Sequence, residues 1–525
     1  MGDCNWWKDC VMYKINVRSF QDSDGNGIGD IPGIEERLPY VKDLGIGCIC
    51  LSSIFTSPDK DYGRDVSDFC SVNPVYGTTK DMENLIQKTH AMGMRIMLDM
   101  PVNQTSDQHK WFQESRKGGK ENPYADFYIW TDTTCNWKTR YSESVFSWDE
   151  TRKAYYVHSF LSDQPDINWR CTRAVEAIYD QCRFWLGKGI DGLNLFMVNC
   201  IIKDSSLRDN PPLRQFGMNQ PYERQMHIFD RNRPECHKQI KYLRGMMEKY
   251  PDRLLCGSIL QERGGEPELS ASYLNGQLDM SFDYSVARAP FTANGWKKCA
   301  ERWYRAIGET NWPSWLLNVD ELERNIDRYG GDERKARLAA MFLMTQKGTP
   351  FLYYGEEIAM PGLRLEKEEE KDPVSAMRYN HGQGRDPQRG PMAWSLEASH
   401  AFSTGVPWLP YAQVGKEHTV EGELSDEHSL LALYRRLVKL HHDDDVFLNG
   451  SVKFLDLLPR HVLRYTRTSN QGERLVILNF SSKNELVPLE KEFSHGAILL
   501  DTSSGAKIED GRLALGPYQG VILII

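Results

Sequence analysis

Short apolar runs alternate with amphipathic, helix-like stretches through most of the first 440 residues, and this rhythm restricts the possible folds more than any other feature. The run 45–51 (GIGCICL) reads as a strand, 80–92 (KDMENLIQKTHAM) as a helix and 95–102 (RIMLDMPV) as the next strand. The same alternation returns at 174–187 and 192–198, and again at 335–345 and 350–354. Repeated strand–helix units imply a parallel sheet covered by helices. Eight or so of them in about 400 residues favour an α/β fold closed as a (β/α)8 TIM barrel over two open sheets. The rhythm breaks twice. Residues 104–169 form a polar, aromatic-rich insertion. After a helix at 427–441, the runs 452–457, 461–466, 474–479 and 521–525 read as short strands separated by turn residues. The expected order is a barrel over 1–103, an inserted domain over 104–169, the rest of the barrel over 170–445 and a small antiparallel β domain over 446–525.

Composition narrows the class. The chain is 40% hydrophobic and 11% aromatic, enough for a large core, which excludes global disorder. Its net charge of -9 argues against nucleic acid as the main partner. No apolar run approaches the roughly 20 residues of a membrane helix, and 1–10 (MGDCNWWKDC) lacks the apolar stretch of a signal peptide. Trp6 also stands where a myristoylation signal needs Ser or Thr. A chain with no membrane span is expected, cytoplasmic as written and extracellular if it is an excised ectodomain or mature secreted chain. Cys48, Cys50 and Cys256 lie in strand-like runs, where a thiol serves as a small buried hydrophobe. No CxxC pairs with a second CxxC or an HxxxH, so zinc is not expected. Three sequons, at Asn103, Asn449 and Asn479, matter only in a secreted product. The charged run 366–371 reads as a solvated loop.

One segment has metal-site spacing. Asp22, Asp24, Asn26, Ile28 and Asp30 place oxygen ligands at alternating positions, with glycines permitting a tight turn. Hard oxygen donors closed by a backbone carbonyl, here that of Ile28, are calcium chemistry.

Several ordered landmarks, 12–20 (MYKINVRSF), 164–168 (QPDIN), 354–358 (YGEEI), 384–394 (GRDPQRGPMAW) and 405–410 (GVPWLP), resemble the alpha-amylase family of glycoside hydrolases. The match is to its alpha-glucosidase and oligo-1,6-glucosidase branch and to the related heavy chains of heteromeric amino-acid transporters. It runs from Trp6 to the C-terminal strand. The resemblance implies a (β/α)8 barrel, an inserted B domain after the third strand and a C-terminal β-sandwich. It also implies a structural calcium at Asp22, Asp24, Asn26, Ile28 and Asp30.

The family's retaining chemistry needs a carboxylate nucleophile and a second carboxylic acid roughly 5 Å away. Residue by residue, the family motifs are altered. The third-strand motif reads Asp99-Met-Pro-Val-Asn103-Gln104, with glutamine for histidine. The fourth reads Asp191-Gly-Leu-Asn194-Leu-Phe196, placing Asn194 at the arginine and Phe196 at the nucleophile position. Ser258 falls at the acid/base position, and Asn318-Val319-Asp320 keeps only the third carboxylate. Glu262 and Glu356 are poor substitutes by position. In the branch's sugar anchor, Gly63-Arg64-Asp65 keeps the aspartate and Gly384-Arg385-Asp386 keeps the arginine, while Arg64 replaces a stacking aromatic. Asp65 and Arg385 are therefore candidate ligand residues, with a purely structural ion pair of Asp65 with Arg64 or Arg385 as the other reading.

These substitutions lead to the expectation of a catalytically inactive homologue. It would bind an unknown small molecule in an altered cleft lined by Phe196, Val319, Asp320, Asp65 and Arg385, or a protein partner such as a membrane transporter light chain. A structural or storage protein is the alternative, as is an enzyme with altered activity that does not use the family carboxylates. An upstream apolar helix favours the transporter reading, and a copurifying ligand the binding one.

Overall fold

The computed structural model describes residues 5–214, 220–262, 265–377 and 384–524. Eight parallel strands form its central sheet: β1 (Met12–Ile15), β2 (Cys48–Leu51), β3 (Arg95–Met100), β4 (Gly192–Leu195), β5 (Leu254–Gly257), β6 (Met280–Ser281), β7 (Ser314–Leu316) and β8 (Thr349–Tyr353). Pairing runs from β6 through β5, β4, β3, β2, β1 and β8 to β7, so β1 and β8 are neighbours despite their separation in the chain. No backbone ladder joins β6 to β7 among the described residues. The Ser314 hydroxyl bridges that seam, donating to the Ser281 carbonyl at 2.7 Å.

Period-two alternation along the strands explains the closure. Met12, Cys48, Cys50, Met97, Leu254, Cys256, Met280, Leu316 and Phe351 share one buried cluster, the barrel interior. Their neighbours Tyr13, Ile49, Leu51, Ile96, Leu98, Leu255 and Leu352 belong to the larger core beneath the helices. Cys48, Cys50 and Cys256 are thus buried apolar side chains, as expected. β6 and β7 were not assigned from the sequence, because strands of two and three residues carry no alternation to read.

Local chemistry sets the helix ends. In the helix Thr79–Ala91, the Thr78 hydroxyl accepts from the Asp81 N–H while Asp81 accepts from the Thr78 N–H, a capping box. The helix Thr172–Lys188 stops at Gly189, whose φ of 104° lies in the left-handed region open to glycine.

Between β3 and the helix Thr172–Lys188, the strands Trp130–Thr131, Phe146–Asp149 and Ala154–Val157 form a small antiparallel sheet. After the helix Leu430–Asp443 come two antiparallel sheets, of five strands and three. Val462, Leu475 and Ile477 of the larger pack with Val487, Leu513 and Leu515 of the smaller in one buried cluster, which makes a two-layer domain. Asn103 and Asn479 are buried and hydrogen-bonded, which leaves Asn449 as the exposed sequon. Among the described residues, no helix is long and apolar enough to cross a membrane.

Candidate active site

The side chains that bear chemistry collect at the carboxyl ends of the barrel strands, where barrel folds place their sites. The cleft there is lined by Lys14 of β1, Asp99 of β3, Phe196 and Met197 after β4, Asp320 and Glu321 after β7, and Tyr353 of β8. Gln104, Arg140, Tyr141 and Gln164 of the insertion also line it, with Asp61, Tyr62, Arg64 and Arg385 from two loops.

The loop 57–65 turns Asp61 and Asp65 in opposite directions. Asp65 is fully buried and accepts from the Ser57 hydroxyl at 2.9 Å and from the Lys60 and Asp61 N–H groups at 2.9 and 3.0 Å. Burial pushes its carboxyl up to about 6. It does not line the cleft, and its expected pairing with Arg385 or Arg64 is corrected: Arg385 pairs instead with Asp61 and Asp372. Asp61 also accepts from Gln164 at 2.8 Å, so two separate landmark segments converge on one carboxylate. Nothing in the sequence marked Asp61, because its partner Arg385 lies 324 residues away.

Arg64 carries the second cluster. Its Nη2 donates to Asp320 Oδ2 at 2.6 Å and to Glu321 Oε1 at 2.7 Å, and its guanidinium lies 5.5 Å from the centre of the Phe196 ring. The residue that replaces an aromatic thus bridges two carboxyls while resting on the aromatic ring of Phe196. Burial would push Asp320 up, but the Arg64 charge dominates and holds it well below the usual carboxylate range. Glu321 moves the other way, raised by burial and by the Asp320 charge. The pair remains 27% and 28% exposed, open to a ligand.

The other family positions have structural engagements. Ser258 accepts from the Met197 N–H at 3.1 Å, at a residue held at φ 51°. Its hydroxyl is thus a clip on a strained turn beside the cleft. Asn194 donates to Asp99 at 2.8 Å, and Lys14 forms an ion pair with the same carboxylate. Burial raises Asp99, with Lys14 opposing. Phe196, Val319, Ser258 and Asp320 line a deeper, mostly apolar recess between the cleft and the barrel interior. Glu262 pairs with Arg231, Glu356 is buried against Tyr434, and neither lines the cleft.

On the loop before the helix Ile31–Asp43, carboxylate oxygens of Asp22, Asp24 and Asp30 lie within 4.8 Å of one another. Backbone N–H groups of Asp24, Gly25 and Gly27 and the Ser403 hydroxyl donate to Asp22, and Asp30 caps the helix through Gly33 N–H at 2.6 Å. Asn26 accepts from the Ile28 N–H at 2.8 Å. These turns fold the loop so that three anionic groups converge, a donor set suited to a hard divalent cation.

Comparison with known proteins fixes the family. The model of the alpha amylase catalytic domain matches residues 14–450, and that of the alpha-amylase SusG C-terminal domain matches 462–522. The chain is 35% identical to a probable alpha-glucosidase of Rhizobium meliloti, over 92% of this chain and 90% of that one. It is 34% identical to an oligo-1,6-glucosidase of Halalkalibacterium halodurans, over 99% of both chains. Among solved structures, the alpha-glucosyl transfer enzyme XgtA superposes with a TM-score of 0.93 at 31% identity, over 99% of each chain. Full-length likeness to proteins named as glucosidases and a glucosyl-transfer enzyme overturns the expectation of a catalytically inactive binding or interaction protein, and points to a glycosidase. That expectation weighed the altered family positions Gln104, Asn194, Phe196, Ser258 and Val319 and gave no weight to Glu321 beside Asp320. With an eight-stranded parallel barrel, a C-terminal antiparallel domain and a family match along most of its length, this chain belongs to the alpha-amylase family of glycoside hydrolases.

Proposed function

We propose that the chain acts on α-glucosides, cleaving or transferring a glucosyl group, with Glu321 and Asp320 as its working carboxyl pair. The observation that carries this reading is the split environment of the two: adjacent in the cleft, held by one guanidinium nitrogen, and pushed in opposite directions. Environments that separate two carboxyls in this way assign one as acid and the other as anion. Contact with a shared nitrogen also keeps the two oxygens within the roughly 5 Å spacing of retaining rather than inverting glycosidases.

In this mechanism Glu321 donates its proton to the glycosidic oxygen while the bond from that oxygen to C1 breaks. The leaving group departs as an alcohol, and Asp320 bonds to C1. Glu321, now a carboxylate, then takes a proton from water as the water oxygen bonds to C1 and Asp320 is released. A sugar hydroxyl in place of water yields glucosyl transfer. Phe196 has neither proton nor lone pair to exchange, and Ser258 is engaged with the backbone. Asp61 and Arg385 form the cleft wall beside this pair.

Recombinant protein is expected to turn over aryl α-glucosides, with Glu321→Gln and Asp320→Asn each lowering kcat about 10²- to 10⁴-fold. The rate requires protonated Glu321 and ionised Asp320, so its alkaline limb should lie above the ordinary glutamate range and its acidic limb below the ordinary aspartate range. Turnover that survives in both variants, or none above a mock preparation in the unmodified protein, overturns the reading. We also infer that the loop oxygens of Asp22, Asp24, Asn26, Ile28 and Asp30 hold a calcium ion, whose role is to neutralise and rigidify that loop.

A further inference from the structure

The cleft has a charge balance opposite to that of the chain. The whole sequence carries -9, yet the cleft is lined by six cations, Lys14, Arg18, Arg64, Arg140, Arg385 and Arg389, against four carboxylates. Five of the cations are matched. Lys14 pairs with Asp99, Arg18 with Asp59 at 2.6 Å, and Arg64 with Asp320 and Glu321. Arg385 pairs with Asp61 and Asp372, and Arg389 with Asp386 at 2.5 Å.

Arg140 differs. It is half-buried on the inserted segment, and among the described residues its side chain makes no ion pair and no hydrogen bond. Every other arginine of the cleft has a carboxylate against it. Arg140 also stands in the field of a second cation, Arg288, which donates to the Glu262 carbonyl at 3.0 Å, lies over the Tyr284 ring and feels the charges of Glu321 and Asp283 without forming an ion pair among the described residues. Burial and the Arg140 charge together hold the Arg288 guanidinium below its ordinary range. A half-buried guanidinium that lines the cleft without an ion pair or hydrogen bond of its own is short of an anion, and its planar fork suits a carboxylate or phosphate.

We infer that the α-glucoside accepted by this cleft carries an anionic group, a carboxylate or a phosphate, and that Arg140 binds it. This rests on the glucoside reading above and names the substrate class of that same site. An acidic protein repels an anionic ligand at long range, so an unmatched positive charge in the cleft is what admits one.

The test is calorimetry on the full chain at low ionic strength with two matched pairs of probes: trehalose against trehalose 6-phosphate, and maltose against maltobionate. The anionic member of at least one pair should bind about tenfold more tightly, and the pair that shows the difference identifies phosphate or carboxylate as the group. Arg140→Ala should abolish the difference and leave the melting temperature unchanged, and Arg140→Lys should restore part of it. The difference should also shrink in high salt. Equal affinity within both pairs, or a preference that survives Arg140→Ala, overturns the inference while leaving the glucoside reading intact. Failure of all four probes to bind sinks both.

Discussion

The cleft contains two arginine-centred carboxylate clusters that differ in burial. Around Arg385, the side chains of Arg385, Asp61 and Asp372 are 3%, 3% and 0% exposed. Around Arg64, those of Arg64, Asp320 and Glu321 are 22%, 27% and 28% exposed. The first cluster is wall: its charges have left water and depend on each other. The second is accessible, and water still screens it, so its carboxyls are free to change protonation and meet a substrate. Similar residue types thus serve as architecture in one place and as chemistry in the other.

The largest effect should come from breaking the wall. Arg385→Ala leaves buried Asp61 without its cation and Asp372 with Arg389 alone, 3.8 Å away, and is expected to cost about 3–5 kcal/mol of unfolding free energy, whereas Arg64→Ala should cost about 1 kcal/mol or less. Urea unfolding of both variants at neutral pH measures the contrast. Comparable losses would show that burial does not separate the clusters.

The loop cluster extends the comparison. Asp22, Asp24 and Asp30 converge as the cleft carboxylates do, but among the described residues no arginine or lysine pairs with them. Burial raises Asp30, while Asp22 is lowered because hydrogen bonds from Ser403 and from loop N–H groups outweigh its own burial. If calcium supplies the missing charge, its binding at a hundredfold excess over Kd stabilises the fold by about 2.7 kcal/mol. A chelator should then lower the melting temperature, and Asp24→Ala should remove that response without altering the cleft clusters. An unmoved melting temperature and no metal in elemental analysis would show that the turn hydrogen bonds hold the loop unaided.

The barrel was legible because its signals are local. Alternation along β2, β3 and β8 and the periodicity of the helices Thr79–Ala91 and Glu333–Thr345 lie within single segments. The site was legible only where a motif named a residue. Asp65 ends a recognisable triplet while Asp61 belongs to no motif, yet the direction in which each side chain leaves the loop is set by tertiary hydrogen bonds. Glu321 escaped notice because its meaning depends on Arg64, 257 residues earlier. Arg64 itself was read as the loss of an aromatic, since a sequence displays what a side chain replaces and not what it reaches.

Glu356 tests the last way of neutralising a buried carboxyl, by a proton. It follows β8, is 2% exposed, has no ion pair among the described residues, and accepts from Tyr434 at 3.2 Å and the Tyr353 N–H at 3.3 Å. Burial outweighs those hydrogen bonds and pushes its carboxyl up to about 7. A folded-state value above the unfolded one means that the folded protein binds the proton more tightly. The stabilisation is therefore fully present below the ordinary glutamate range and is lost as pH rises towards 7. The slope from this one group is at most about 1.4 kcal/mol per pH unit. Glu423, raised by burial to about 7, and Glu357, also raised by burial, have the same sign, so the informative quantity is the difference between proteins. Glu356→Gln, which keeps the hydrogen-bonding shape without the charge, should flatten the fall in unfolding free energy between pH 5 and pH 8. It should not alter the Arg385 or Arg64 contrast. An identical pH slope in Glu356→Gln would mean that this carboxylate is solvated enough to stay ionised, and that burial alone does not decide which carboxyls of this fold need a counter-charge.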